Sequence, residues 1–270
     1  MTSTDFLTEI VAHRRARVLD RTQEENELLR CAAQEARKDK SSYRLRDALR
    51  NSDCINVIAE IKRASPSKGV IRERVVPAEL AREYAAGGAA AISVLTEEEY
   101  FRGSLDDLRM VSSATPLPVL CKDFIVHESQ IYEAATAGAD AVLLIVAALD
   151  ASALARLREI AEDRLGLDAL VEVHDEDEMR RAQDCGAMLV GVNNRNLRTF
   201  KVSLETSFQL ATFAAADTVL VSESGLSAAD DLRRLRALGY RGFLIGETLM
   251  RAHDAQAALR ELRREAKETI

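Results

Sequence analysis

Residues 57–69 read VIAEIKRASPSKG, and this stretch decides the fold. Its apolar run contains one acid, Glu60, and a lysine, Lys62, follows two residues later. The SPSKG segment at 65–69 cannot continue a strand or a helix, so the run ends there. Because side chains alternate along a strand, the carboxylate and the ammonium share one face of it. The sequence thus places two opposite charges side by side where an apolar strand ends.

Short apolar runs of this kind recur along the chain. We predict strands at 57–62, 89–95, 118–122, 141–146, 169–173, 189–193, 218–222 and 243–246. Amphipathic stretches between them predict helices at 77–86, 104–113, 128–137, 151–164, 176–184, 204–215, 228–238 and 255–267. The runs are almost continuously apolar rather than alternating, which is typical of parallel strands covered by helices.

A weak internal repeat supports this count of strands. Helix-ending glycines, predicted to adopt positive φ, precede the second, fourth, sixth and eighth strands. They are Gly87, Gly138, Gly186 and Gly239. Eight strand–helix units in about 220 residues predict an α/β fold, a (β/α)8 TIM barrel. We expect one domain, with a helical extension at residues 1–48 and the barrel at 49–270. A doubly wound sheet is the alternative, but it usually carries G-x-G-x-x-G after its first strand, and KRASPSKG lacks that motif.

Composition restricts the class of protein and its partners. The 270 residues are 47% hydrophobic and 30% charged, as in a globular chain with a large core. We find no run of 18 uncharged apolar residues and no apolar signal segment, so we expect neither a membrane span nor secretion. The four scattered cysteines, without a C-x-x-C pair, indicate reduced thiols in a cytoplasmic protein. A net charge of −7 argues against a nucleic-acid partner but permits a cleft for a small anion.

Polar residues also end most of the other predicted strands. In a barrel these strand ends meet at one rim with inward-pointing side chains, which is where barrel active sites lie. Polar groups are costly to bury there without partners, so their convergence predicts a site. The residues concerned are Glu60, Lys62, Lys122, Glu172, Asn193, Arg195, Glu223, Ser224, Gly225, Gly246 and Glu247.

Each of these residues also has an ordinary structural explanation. A single charge at a strand end usually marks the entry of the chain into solvent. Glu172 could cap the helix that begins near DEDE, and Asn193 and Arg195 could form a turn. Ser224 and Gly225 could form a plain helix N-terminus. The structural explanation needs a separate reason at each strand, whereas a site explains all of them at once.

The last two strand–helix units indicate the class of ligand. Ser224, Gly225 and Gly246 are small and leave backbone N–H groups open, at the position where barrels of this kind bind phosphate. Glu172 and His174 share a strand face and could hold a metal ion. Because no second carboxylate–histidine pair occurs, we predict no metal.

Eight segments in the same order make the sequence similar to the indole-3-glycerol-phosphate synthase family. The strongest is VIAEIKRASPSKG, and the similarity runs from about residue 8 to residue 250. The leading 48 residues match the helical segment that the family carries before its first strand and packs across the barrel mouth. The other segments are SVLTEEEYFRGS (93–104), PVLCKDFIVHESQI (118–131), GADAVLLIVAAL (138–149), LVEVHDEDE (170–178), VGVNNRNL (190–197), VSESGL (221–226) and FLIGETLM (243–250).

The resemblance implies a carboxy-lyase of tryptophan biosynthesis. Its substrate would be a small anionic molecule, 1-(2-carboxyphenylamino)-1-deoxyribulose 5-phosphate. The ring carbon that bears the carboxylate attacks the ribulose carbonyl, CO2 leaves, and loss of water completes the indole. The resemblance implies no cofactor and no metal, and it implies a monomer.

The resemblance also implies roles, which we state as hypotheses. Lys122 is the general acid of ring closure, and Glu172 is the base or proton relay of dehydration. Glu60 orients Lys62 or Lys122 and handles the leaving hydroxyl, and Asn193 binds substrate hydroxyls. Anionic groups are held by Lys62 and Arg195, and the phosphate by Lys62, Ser224, Gly225, Gly246 and the backbone of Glu247. The first loop, which closes over the substrate, contains Ser65, Pro66, Ser67 and Lys68. The wall around the anthranilate ring is formed by Phe101, Phe124, Leu143 and Leu244.

Two alternative functions stay open. Another phosphate-binding barrel, such as a phosphoribosyl-anthranilate isomerase, would use a cysteine and an aspartate as its acid–base pair, whereas the first strand here offers Glu60 and Lys62. A non-catalytic barrel that binds a sugar phosphate would need the phosphate pocket but not two lysines and two glutamates. Incubation with the carboxyphenylamino substrate, read by indole fluorescence, separates all three.

Overall fold

Eight parallel strands close into a barrel in which each strand pairs with its neighbours in chain order. The computed structural model describes residues 6–19, 21–51 and 53–267. The strands are β1 (Val57–Ile61), β2 (Ala91–Leu95), β3 (Val119–Lys122), β4 (Ala141–Ile145), β5 (Asp168–Val173), β6 (Leu189–Asn193), β7 (Val219–Glu223) and β8 (Tyr240–Ile245). The predicted (β/α)8 barrel is confirmed. β8 begins three residues before its predicted start, and Lys62 lies one residue beyond the end of β1.

Helices alternate with the strands, and three more precede β1. The first three are α1 (Phe6–Leu19), α2 (Gln23–Arg37) and α3 (Arg44–Leu49). The others are α4 (Pro77–Gly87), α5 (Leu105–Ala114), α6 (Glu128–Thr136), α7 (Ala151–Glu159), α8 (Glu176–Asp184), α9 (Glu205–Leu210), α10 (Ala229–Ala237), α11 (Glu247–Arg251) and α12 (Ala255–Lys267). The helix predicted at 151–164 ends in a π turn (Ile160–Arg164), and the one at 204–215 ends in a 3-10 turn (Ala211–Phe213). The short α11 was not predicted. No helix of the described ranges is long and apolar enough to cross a membrane.

One of the four predicted cap glycines is wrong. The other three, Gly138, Gly186 and Gly239, do adopt positive φ. α4 runs one residue further than predicted, so Gly88 takes the left-handed cap position with φ 89°. Gly87 is needed for close packing instead, because a Cβ there would lie 3.0 Å from the carbonyl oxygen of Gln256 in α12.

The strands have two differently buried faces. On β1, the side chains of Val57, Ala59 and Ile61 belong to the core between the strands and the surrounding helices. Ile58, between them, belongs to a second cluster inside the barrel. The same alternation continues to Glu60, which therefore points inward at the carboxyl end.

The N-terminal helices contact both ends of the barrel. α1 lies at the carboxyl end, where Arg14 forms a 2.8 Å ion pair with Asp123 just after β3. α3 lies at the opposite end, where Leu45 and Leu49 are fully buried in the interior cluster and the Arg46 backbone donates to Asp168 (3.0 Å). We expected the whole N-terminal segment to pack across the barrel mouth. Of its described helices, α1 alone does so.

Candidate active site

A cavity of about 660 Å³ opens at the carboxyl end of the barrel. Side chains from all eight strand–loop units and from α1 line it. Every residue that the sequence nominated lines this one cavity: Glu60, Lys62, Ser65, Pro66, Ser67, Phe101, Lys122, Phe124, Leu143, Glu172, Asn193, Arg195, Ser224, Gly225, Leu244, Gly246 and Glu247.

A first charged pair lies at the end of β1. The ammonium of Lys62 donates to the Glu60 carboxylate, which is 3% exposed. Glu60 also lies against the backbone after β8, since a Cβ at Gly246 would be 2.3 Å from its Oε1. Glu60 therefore contacts Lys62 rather than Lys122, and it is held beside the predicted phosphate site.

A second charged cluster lies across the barrel mouth. Lys122 donates to two buried carboxylates, at 3.2 Å to Oε2 of Glu172 and at 2.8 Å to Oε2 of Glu223. Asn193 lines the cavity beside this cluster. The sequence placed Glu223 at the end of the seventh strand but gave it no role. In the structure it lies closer to the predicted general acid than Glu172 does.

The loops after β7 and β8 form a cradle of small residues. Ser224 and Gly225 both have positive φ (67° and 79°), which turns the chain sharply at the end of β7. A Cβ at Gly225 would lie 2.4 Å from a methyl group of Val202, so only glycine fits there. Gly246 is the N-cap of α11, and the side chain of Glu247 turns aside to accept from Arg251 Nε at 3.1 Å. The Glu247 carboxylate therefore does not cover the backbone N–H groups at this end of the cavity.

Aromatic rings form the opposite wall. The rings of Phe101 and Phe124 lie 6.0 Å apart, centre to centre. Phe6 from α1 lies 6.2 Å from Phe124 and 5.6 Å from Phe200 in the loop after β6. The sequence nominated neither Phe6 nor Phe200, although both line the cavity. The N-terminal extension thus contributes directly to the site.

The first loop folds back over the cavity as a small hairpin (Ala64–Ser65 with Gly69–Val70). Arg195 Nη1 donates to the Ser67 hydroxyl at 3.1 Å and so ties this loop to the end of β6. Two further contacts hold the loop: Arg63 donates to Asp107 at 2.9 Å, and the Lys68 ammonium lies 3.8 Å from the Glu247 carboxylate.

Comparison with known proteins agrees with this geometry. A family model described as indole-3-glycerol phosphate synthase matches residues 7–262. This chain belongs to that family. The enzyme of that name from Carboxydothermus hydrogenoformans is 46% identical over 95% of this chain and 99% of its own length. The one from Albidiferax ferrireducens is 51% identical over 76% of this chain and 78% of its own length. The structure of 3-hexulose-6-phosphate synthase from Salmonella typhimurium is 12% identical, with a TM-score of 0.63 over 78% of this chain and 98% of its own, and shares only the fold.

Membership of the synthase family makes the chain a carbon–carbon lyase, as its sequence predicted. The alternative of a phosphoribosyl-anthranilate isomerase is thereby excluded. The structure also excludes a capping role for Glu172. Asp175 caps α8 instead, because its side chain accepts from the Glu178 backbone N–H at 2.9 Å.

The two glutamates around Lys122 have different electrostatics in this synthase site. Burial raises the pKa of Glu172, but the charges of Lys122 and His174 and the hydrogen bond from Asn193 outweigh it and lower that pKa. Burial raises the pKa of Glu223 to about 7, since Lys122 only partly offsets burial and the neighbouring carboxylates. For Lys122, burial alone would lower the pKa, but the surrounding carboxylates raise it. The surroundings thus move the two pKa values apart, downward for Glu172 and upward for Glu223.

Within the described ranges, no group of three or more histidine, cysteine, aspartate or glutamate side chains is arranged to hold a metal ion. The absence of a metal and of a cofactor stays a prediction. At the strand ends the site offers two lysines, three glutamates and the amide of Asn193, and the loops add Lys68, Arg195 and Glu247.

Proposed function

We propose that this chain converts 1-(2-carboxyphenylamino)-1-deoxyribulose 5-phosphate into indole-3-glycerol phosphate, CO2 and water, in tryptophan biosynthesis. One observation carries the proposal. Lys122, held between two buried carboxylates, shares a cavity with an aromatic wall and a cradle of small residues suited to phosphate. An aryl-amino sugar phosphate has a ring and a phosphate at its two ends, with the reacting carbonyl between them.

The ends of the cavity orient the substrate in this proposal. The phosphate binds the backbone of Ser224, Gly225 and Gly246, where open N–H groups favour an anion. Lys62 adds a positive charge beside this site and Arg195 adds one near the first loop. The carboxyphenyl ring packs against the wall that contains Phe101 and Phe124. The ribulose carbonyl then lies over the charged cluster of the barrel mouth.

Ring closure needs a proton donor at the carbonyl oxygen. The ring carbon forms a bond to the carbonyl carbon, the carbonyl electron pair moves to oxygen, and that oxygen takes a proton from Lys122. An alkoxide oxygen is basic enough to take a proton even from a lysine whose pKa is raised. The bond to the carboxylate then breaks, its electron pair restores the aromatic ring, and CO2 leaves.

Dehydration needs a base and an acid. Glu172, whose pKa is lowered, takes the proton from the ring-side carbon, while the hydroxyl leaves as water with a second proton. Glu60 lies at the same rim and handles this hydroxyl, as the family resemblance implies. Glu223, whose pKa burial raises, is a second group that can supply the proton.

We also infer that the helical extension and the barrel act as a single domain. Arg37 of α2 supports this, because it donates at 3.1 Å to the Leu165 carbonyl in the barrel and forms a buried ion pair with Asp140. We propose further that the protein is a cytoplasmic monomer with a small-molecule substrate and no nucleic-acid partner. The charge of −7 supports the last point.

The test replaces the proposed general acid. Lys122→Ala should lower kcat by about 10²–10⁴-fold, the usual contribution of a positioned acid, with substrate affinity largely kept. Lys201→Ala, at an exposed lysine outside the cavity, is the matched control and should leave kcat unchanged. Turnover of the wild-type protein, read by indole fluorescence, tests the reaction itself. Activity of Lys122→Ala within a few-fold of wild type would show that the acid role is misassigned.

A further inference from the structure

Two glutamates share one lysine in this site, but their second oxygens have different neighbours. Oε1 of Glu172 lies 3.4 Å from Nε2 of His174. Oε1 of Glu223 is buried and accepts no hydrogen bond from the described part of the chain. Burial of the two carboxylates is otherwise alike, at 3% and 2% side-chain exposure. His174 and Asn193 therefore distinguish the two surroundings, and His174 is the one that can carry a charge.

The surroundings of His174 favour a positive charge on its ring. Nδ1 lies 3.0 Å from Oε2 of Glu178 in the first turn of α8, so the ring lies between two carboxylates. The charged groups that face it are Glu172 from β5, Glu178 from α8 and Glu223 from β7, and all three are acids. Burial alone would lower the pKa of His174, but these acids outweigh it and raise that pKa. Nε2 makes no hydrogen bond within the described ranges, so the 3.4 Å contact with Glu172 is an electrostatic one that a protonated ring makes favourable.

We propose that His174 is a positioning residue whose positive charge makes Glu172 the base of the pair and leaves the acid role to Glu223. The reasoning is electrostatic. A cation behind Glu172 stabilises its ionised form, and Lys122 alone cannot favour one glutamate because it contacts both. A pair of carboxyl groups gains distinct acid and base roles when its surroundings separate the two pKa values. This inference rests on the proposed function, since it assumes that Glu172 takes a proton during turnover.

The decisive experiment is the pH profile of kcat for His174→Gln. Glutamine keeps a polar donor beside Glu172 but carries no charge, so the variant separates charge from shape. Loss of the cation should raise the pKa of Glu172 and shift the acidic limb of the profile upward by about one pH unit, which lowers kcat about tenfold on that limb. Near the alkaline end of the profile, kcat should approach the wild-type value.

Glu178→Gln provides an independent variant that leaves His174 in place. It should shift the acidic limb in the same direction by a smaller amount, because the ring loses one of its carboxylate partners. The double variant should shift the limb by less than the sum of the two single shifts, because both substitutions act on the charge of the ring. The 2.8 Å bond from the backbone N–H of residue 174 to the Glu178 side chain does not depend on the ring. His253→Gln, the same substitution at an exposed histidine, is the control and should leave the profile unchanged.

Two outcomes would overturn the proposal. One is a His174→Gln profile with a uniformly lower kcat and an unmoved acidic limb, which indicates a packing role. The other is a double variant whose shift equals the sum of the two single shifts. Failure of the wild-type protein to form indole would instead refute the proposed function, so the two failures are distinguishable.

Discussion

Replacing Gly191 by alanine should pull one glutamate away from Lys122. Gly191 lies on β6, and a Cβ there would be 2.0 Å from Oε1 and 3.1 Å from Cδ of Glu223. An ordinary contact begins at 3.4 Å, so the carboxylate must retreat by about 1.4 Å. Its hydrogen bond to Lys122, now 2.8 Å, then stretches beyond hydrogen-bonding distance.

The size of the effect follows from the bond that is lost. A hydrogen bond between charged groups contributes about 1.5–3 kcal/mol. If ring closure uses this contact, kcat/KM should fall about 10- to 150-fold, because each 1.36 kcal/mol is a factor of ten in rate. The assay is the initial rate of indole fluorescence, with thermal unfolding measured in parallel. A kcat/KM within threefold of wild type would refute the reasoning.

A second substitution separates the clash from other effects of the methyl group. Glu223→Asp shortens the acid by one methylene and makes room for the Cβ at position 191. In the double variant the free energy of unfolding should recover relative to Gly191→Ala. Turnover should stay low, because the shorter carboxylate does not reach Lys122. Equal free energies of unfolding in the single and double variants would mean that the methyl group clashes with another residue, for example with Leu170, 3.3 Å away.

Three further predictions concern other parts of the molecule. Glu172→Gln should slow dehydration more than ring closure, and a decarboxylated intermediate should accumulate in rapid-quench samples; equal slowing of both steps would contradict its role as base. Burial raises the pKa of Asp168 to about 6, above the pKa it has in the unfolded chain. Ionisation of Asp168 therefore destabilises the folded state, and the free energy of unfolding falls as pH rises from about 4 to 6. Asp168→Asn should therefore gain about 2 kcal/mol relative to wild type between pH 4 and pH 7 in denaturant titrations, and a constant difference would refute this. Arg14→Met leaves Asp123 buried without its cation, so α1 should detach from the barrel. Proteolysis within the first 20 residues should then increase and KM should rise. An unchanged cleavage rate would show that other contacts hold α1.

The alternation of side chains made the charged rim predictable from sequence. Glu60, Lys62, Lys122, Glu172 and Asn193 each lie on the inward face of a strand end, and the period of two places them there without knowledge of the barrel's dimensions. The same rule applies to Glu223, which follows the inward-facing Val219 and Val221. Its position was therefore available from the sequence. Its role was not, because the contact with Lys122 depends on which strands face each other across the barrel.

Contacts made by helices and loops could not be predicted in this way. Phe6 reaches the cavity because α1 lies over the mouth, and no strand register predicts the position of that helix. Phe200 lies in an irregular loop with φ 58°, where no periodicity exists. The partners of Arg14 are more than 80 residues away in the sequence. The glycine cap of α4 moved by one residue because two glycines adjoin, and only the packing against α12 decides between them.

The two faces of each strand let this barrel change its chemistry and its stability independently. On β1, Ala59 and Ile61 hold the surrounding helices in place, while Glu60 between them contributes only to the mouth. A substitution at an inward strand end can thus give the scaffold a new reaction without disturbing the layer that keeps it folded. Protein engineering that aims at a new reaction in this barrel should vary inward positions such as 60, 122, 172 and 223 together and leave their outward neighbours unchanged.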